Sequence, residues 1–290
     1  MADMKEIHSR IKSIKDIMKI TNAMYLISSS KLKKARKRLL ATEPYFEKLQ
    51  ATIYDILVRA PHIHQVYFER REHIRPGYRK KGYIVVTADK GLAGAYNHNV
   101  IKKAEEEMAK SKINSLFVVG QVGRQYFMHK GIEIDREFLY TAQNPTLYRA
   151  QCISEVIIEL FEKGDLDDVY VIFNKMITPM KSEVCMIQIL PLERKKFERK
   201  KAGYQHAIFE PTPEVVMNYL VPNYLKGYIY GVLVEAFSSE QNARMTAMEA
   251  ATKSAKDMLR DLDLLYNRAR QSSITQELTE IVSGAKSLKK

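Results

Sequence analysis

Tryptophan is absent from this 290-residue chain, glycine and proline number only 12 and 9, and there are two cysteines. Each scarcity excludes something. Few chain-breaking residues leave room for long, uninterrupted helices. Cys152 and Cys185 sit in the apolar settings QCISEVII and EVCMIQI, and neither belongs to a CxxC or a Cys/His cluster. They read as inert buried thiols in a reducing cytosol. The seven histidines are scattered, His62 and His64 being the nearest pair, and no HExxH occurs. No metal and no cofactor is therefore expected.

Long hydrophobic runs are missing too. No stretch of 18 apolar residues occurs, so no segment is expected to span a bilayer. The start, Met1 to Glu6, has neither the apolar core of a signal peptide nor the character of a transit peptide. A soluble protein is expected. No acid–base or nucleophile–base arrangement stands out, and Ser28, Ser29 and Ser30 have no base beside them. The chain by itself is not expected to be an enzyme.

Pattern is what the chain has in abundance. Ile7, Ile11, Ile14, Met18, Thr21, Tyr25, Ser28, Leu32, Ala35, Leu39, Thr42, Phe46, Leu49, Ile53 and Ile56 follow one another at a strict 4-3 spacing. All are apolar except Thr21, Ser28 and Thr42. A heptad seam sustained that far predicts a coiled-coil helix over 3–59, ~85 Å long, with a kink or stagger at Pro44. The other end mirrors it. From Pro213 to about Leu288 the only further proline is Pro222, and the glycines are 227, 231 and 284. ARMTAMEAATKSA (243–255) is rich in small residues that let helices approach closely, with Met245 and Met248 filling gaps. Leu259, Leu262, Leu265, Tyr266 and Ala269 carry an apolar face onward.

Between the arms the period changes. Residues 83–87, 116–119, 168–174 and 183–190 read as strands, and 97–109, 121–130 and 147–163 as helices. The expected fold is α/β plus long α: an antiparallel coiled coil of N- and C-terminal helices with an inserted Rossmann-like α/β domain. Its parts are 1–59, 60–206 and 207–290, with the basic stretch 193–206 a loop. The C-terminal arm exceeds its partner by more than ten residues. Its stripe Ile274, Leu278, Ile281 and Val282 is thus expected to lack cover from its own chain, which marks a binding surface.

Two glycine-bearing turns leave alternatives open. TADKGLAGAYNHN (87–99) reads as a structural turn or an anion or partner contact, since it fits neither GxGxxG nor GxxxxGK[ST]. GQVGRQYF (120–127) is explained by a close approach of strand and helix. Net charge is +13, which favours something acidic as partner. The cluster Lys31, Lys33, Lys34, Arg36, Lys37 and Arg38 is either a solvated flank or an electrostatic belt facing an acidic partner loop. Nucleic acid ranks below these, because no aromatics are interleaved to stack bases. RKKFERKK (194–201) reads as a loop.

KITNAMYLISSSKLKKAR (19–36), DKGLAGAYN (89–97), FEPTP (209–213) and ARMTAMEAATKSAKDMLRDLDLLYNRARQSSITQELTEIVSGA (243–285) together resemble the gamma subunits of rotary, F-type ATP synthases, and the likeness runs end to end. The resemblance implies a central shaft turning inside a ring of alternating alpha and beta subunits. It implies coupling of proton or sodium ion flow to ATP synthesis, with the nucleotide sites on the partners. The α/β domain would sit at the foot, near the epsilon subunit and the ring of c subunits. Location would be the cytoplasmic side of the cell membrane, peripheral, with membrane contact only through partners and no nucleic acid. Arg270, Gln271 and Thr275 match the family's positions that bond a beta-subunit loop at one rotor angle, and Met24 matches a methionine opposite an acidic beta loop. Ile274, Leu278, Ile281 and Val282 match the tip seated in an apolar sleeve. Phe209, Glu210 and Pro211 match the foot segment beside the c ring. Tyr25, Leu26 and Ser28–Ser30 depart from the smaller or more apolar residues common there. The paired-cysteine insert of the chloroplast branch is missing, so thiol control is not expected. Without the resemblance, a coiled-coil scaffold or secretion adaptor and a nucleic-acid-binding coiled coil stay open.

Overall fold

A computed structural model describes residues 2–138, 142–178, 181–197 and 209–287. In chain order the elements are α1 (Ala2–Arg59), β1 (Lys80–Val86), α2 (Tyr96–Met108), β2 (Ile113–Val119), α3 (Gln121–His129), β3 (Arg136–Phe138), α4 (Leu147–Glu162), β4 (Asp168–Thr178), β5 (Lys181–Leu190) and α5 (Pro213–Ser287). Single 3-10 turns stand at Val66–Phe68, Pro76–Tyr78 and Arg194–Phe197. The helix α1 continues through Pro44, and α5 through Pro222. Most of the basic stretch 193–206 lies outside the described residues. The contacts divide the chain into two compact units, residues 1–28 with 244–290 and residues 29–243.

The first unit is a pair of helices. Every seam position of α1 from Ile7 to Ser28 is buried or half-buried. Opposite it, α5 shelters Met248, Thr252, Ala255, Leu259, Leu262, Tyr266, Ala269 and Ser273, again at 4-3 spacing. The hydroxyls of Thr21 and Thr252 meet at 2.8 Å across the seam, and the rings of His8 and Tyr266 lie 6.3 Å apart. Stepping back along α1 thus matches stepping forward along α5, so the pairing is antiparallel. One of the two hydroxyls donates across the seam and the other to a carbonyl of its own helix, Met18 for Thr21 or Met248 for Thr252, which lets a polar pair sit in the seam with both protons used. Leu265, expected on the same face, lies outside the seam and is exposed.

The second unit holds the sheet, in the order β3-β2-β1-β4-β5. β1 pairs in parallel with β2 and β4, β2 pairs in parallel with β3, and β5 runs antiparallel to β4. Helices cover both faces, so the central strands are apolar on both sides. Tyr83, Val85, Leu116, Val118 and Ile172 pack with Val100, Ile101 and Ala104 of α2 and Phe127 of α3. The alternate residues Ile84, Val86, Phe117, Val119, Val171 and Phe173 belong to a larger core with α4, the end of α1 and the first half of α5. The seam of α1 runs on into this core, ending in Ile53 and Ile56 with no exposed surface. β3 is too short and too polar to be legible as a strand, and it forms because β2 offers it a free edge.

Ion pairs tie the approach to β1 into place. Arg71, at φ 43°, donates to the carbonyls of Phe161 and Leu166 and to Asp167, closing the C-terminal end of α4. Arg79 grips the Asp168 carboxylate with Nε at 2.5 Å and Nη2 at 2.8 Å. Its hydrogen bond to Asp168 holds the guanidinium still further above its ordinary range. Cys152 and Cys185 are half-buried rather than fully buried, Cys185 because it lies on the edge strand β5.

Candidate functional site

Among the described residues, the tip of α5 is the longest run with no internal cover. Beyond Ser273 every position through Ala285 is exposed. Ile274 is 49% exposed, Leu278 58%, Ile281 67% and Val282 55%, far above what such side chains show in a finished core. The register accounts for part of this: with Thr21 opposite Thr252 and His8 beside Tyr266, the residues of α1 from Ala2 onward face α5 only as far as about Ser273. The stripe is also displaced by one residue from the seam position Ser273, about 100° round the helix. A simple continuation of the α1 pairing would therefore bury Gln276 and Glu280 instead.

Several polar residues of the tip bond along their own helix. Thr275 donates to the Gln271 carbonyl at 2.9 Å, Thr279 donates to the Thr275 carbonyl at 2.8 Å, and Gln276 donates to Glu280 at 3.0 Å. Arg270 and Gln271 are exposed, and Arg270 meets no acceptor among the described residues. Met24 is half-buried on α1 in the same unit. Near it, Ile17, Ile20, Leu26 and Ile27 form an exposed apolar surface off the seam. That surface was missed in the sequence because the stronger 4-3 pattern masks it; the 3-4-3 spacing of Ile17, Ile20, Met24 and Ile27 was its signal.

The other candidates lie in the second unit. All six cations of the cluster from Lys31 to Arg38 are exposed. Arg38 donates to the Asn144 side chain at 3.0 Å, and Arg36 approaches the Met176 sulfur at 3.6 Å. Lys31, Lys34 and Arg38 rim a groove of about 230 Å³ with Ala35, Tyr230, Val234 and Phe237 on its walls. Among the described residues no carboxylate lines it, so the groove is basic. Phe209 is half-buried against the larger core under Arg59, whose guanidinium is 5.8 Å from the ring centre. Glu210 and Pro211 beside it are exposed.

Both glycine turns make contacts within the domain, although Lys90, Gly91, Leu92, Gly94 and Ala95 of the first are exposed. The Thr87 hydroxyl donates to Val119 and accepts from the Gly123 amide at 3.0 Å. A Cβ on Gly120 would lie 2.3 Å from the Thr87 carbonyl oxygen, and one on Gly123 2.7 Å from the Thr87 hydroxyl. The 87–99 turn carries Leu92 and Gly94 at positive φ and is anchored by Ala88 donating to Asn97 at 2.8 Å. Ala88, Ala93 and Tyr96 pack there against Ala243 of α5. Among the described residues no cluster of His, Cys, Asp or Glu could hold a metal, and no helix is long and apolar enough to cross a membrane.

The family described as ATP synthase matches residues 3–288. The chain is 48% identical to the ATP synthase gamma chain of Acetivibrio thermocellus, over all of both chains. It belongs to the ATP synthase gamma-subunit family. It is also 36% identical to the sodium ion specific gamma chain of Acetobacterium woodii, with 99% of each covered. Its fold matches a chain in the Euglena gracilis mitochondrial ATP synthase OSCP/F1/c-ring structure, in rotational state 3. That match has a TM-score of 0.68 at 13% identity and covers 99% of this chain and 95% of the other. The longest elements of this gamma subunit are its two helices α1 and α5.

Sequence reading missed one further feature of the gamma subunit. Ser238, Ser239, Glu240, Gln241, Asn242 and Arg244 of α5 are all buried, although such a polar run on a helix reads as a solvated face. Only the tertiary contacts of α5 shelter them.

Proposed function

We propose that this subunit is the turning shaft of its complex, itself non-catalytic, coupling proton or sodium ion flow to ATP synthesis on alpha and beta subunits. One observation carries the reading: the heptad seam of α5 closes at Ser273, and a separate apolar stripe then stands uncovered. Such a stripe turning in an apolar sleeve breaks few directional bonds, while each buried side chain still contributes about 1.5–3 kcal/mol to assembly. The angle-dependent part falls to polar residues. Arg270, Gln271 and Thr275, with Met24, are assigned to contacts with beta, and Lys31, Lys33, Lys34, Arg36, Lys37 and Arg38 to an acidic loop of the head. Coupling is then a difference in interaction energy between rotor angles.

In this reading residues 1–59 and 207–290 are the shaft and 60–206 the domain at its foot. Phe209, Glu210 and Pro211 lie beside the c ring, and the epsilon subunit binds nearby. The protein is held peripherally on the cytoplasmic side of the cell membrane through these partners.

Reconstitution with alpha and beta tests the proposal. A rotor gives a complex with fewer copies of this chain than of beta, and a probe on the chain turns in one direction during ATP hydrolysis. A bound but stationary chain would make it a static scaffold and end this reading.

A further inference from the structure

In an open α/β sheet the customary ligand crevice lies at the carboxyl ends of the strands, where the strand order reverses. Here that point is between β1 and β4: the chain builds outward from β1 to β2 and β3, then crosses to β4 on the other side. The crevice is not open. Tyr96, the first residue of α2 and 5% exposed, donates its hydroxyl to the Ala236 carbonyl of α5 at 3.0 Å. Its own carbonyl accepts from the Asn174 side chain at 2.8 Å, and Asn174 is 2% exposed.

Two residues further along β4, the Met176 amide donates to the Glu235 carboxylate of α5 at 3.0 Å. β1 pairs with β4 only as far as Ile172, so beyond it one edge of β4 is free. Glu235 takes the backbone donor that another strand would have taken. Ala243, two turns on, packs against Ala88, Ala93 and Tyr96. The stalk helix therefore occupies the place a ligand would take, tied there from two different elements of the domain.

We propose that Tyr96, Asn174 and Glu235 are positioning residues that lock the α/β domain to α5, so that torque entering the domain passes into the stalk helix without twist at this joint. This rests on the rotor reading above. Directional bonds suit the task, because apolar packing resists separation but opposes rotation of a smooth helix surface only weakly.

The test uses the complete ATP synthase reconstituted in vesicles, with the head immobilised and an orientation probe on the α/β domain. Asn174→Ala removes the support of the Tyr96 carbonyl and Glu235→Ala cuts the bond from Met176 to α5, so the angular variance of the probe during catalytic pauses should rise about twofold. Ions pumped per ATP should fall, while ATP hydrolysis by the detached head stays within about twofold of wild type. Glu235→Gln keeps a carbonyl acceptor for Met176 and should match wild type in all three. Tyr96→Phe keeps the ring and removes only the hydroxyl, so it supplies a milder variant should the double one fail to assemble. Unchanged variance and pumping in an assembled complex would overturn the proposal, as would pumping and hydrolysis falling together at unchanged variance. A probe that does not turn even in the wild-type complex would instead sink the rotor reading.

Discussion

The ring of Phe46 on α1 occupies the space where Gly227 on α5 would carry a side chain. A Cβ there would lie 1.9 Å from Cδ1 and 2.0 Å from Cε1. Glycine inside a helix ordinarily costs about 1 kcal/mol against alanine, so close contact with the ring offsets a local penalty. Gly227→Ala should lower stability despite its better helix propensity, by about 1–3 kcal/mol. Gly227→Ala combined with Phe46→Ala should cost less than the two single changes added together, because the clash disappears with the ring. Thermal melts of the four proteins decide it.

Gly120 and Gly131 both have positive φ, but only Gly120 is crowded. Gly131→Ala should cost about 1–2 kcal/mol, the price of a left-handed backbone alone. Gly120→Ala must also push a Cβ away from the Thr87 carbonyl, and about 3 kcal/mol or more is expected. Denaturant midpoints of the two variants should separate accordingly.

Glu107 is buried, yet accepts from Lys103 and Lys110, each at 2.7 Å. The hydrogen bond from Lys103 leads in holding its carboxyl below the ordinary range, with that from Lys110 next. A depressed carboxylate pKa adds stability that is present above the unfolded value, about 4.3, and is lost as pH falls through the folded one. Glu107→Gln should therefore be less stable than wild type at pH 7, with the gap narrowing once pH drops below about 4. A constant gap from pH 7 to pH 3 would show that charge is not involved.

Replacing Arg270 and Gln271 with alanine leaves the apolar tip intact. If each loses a charge-assisted or polar bond of ~1.5–3 kcal/mol to the head, turnover should slow roughly tenfold or more. Assembly should persist. With the tip seated as proposed, Ile281→Asp with Val282→Asp should do the reverse, weakening assembly by putting charge against an apolar surface. It should leave the melting of the isolated chain unchanged, since both residues are exposed. Turnover and subunit stoichiometry, measured on both variants, separate the two roles.

Cys152 and Cys185 are both half-buried, on α4 and β5. Cys152→Ser with Cys185→Ala should leave the ATP hydrolysis of the complex the same with and without reductant, as in wild type. A wild-type rate that reductant switches, and that the double variant no longer switches, would assign the thiols a regulatory role.

Much of this architecture is local and so was legible in the residues. The 4-3 seam from Ile7 to Ile56 named its own buried face, because a helix presents every third and fourth residue to one side whatever covers them. The strands β1, β2, β4 and β5 and the uncovered stripe from Ile274 to Val282 followed from period and length in the same way. What only the tertiary structure decided is where distant segments meet. Nothing near Tyr96 marks Ala236 as its partner, and nothing in SSEQNAR shows that these polar residues are buried rather than wet. Hydrogen bonds between segments more than a hundred residues apart leave no periodic trace, because they depend on register and on which sheet edge stays free. So the seam could be read from the chain alone, and the bonds from Tyr96 and Met176 to α5 had to be seen folded.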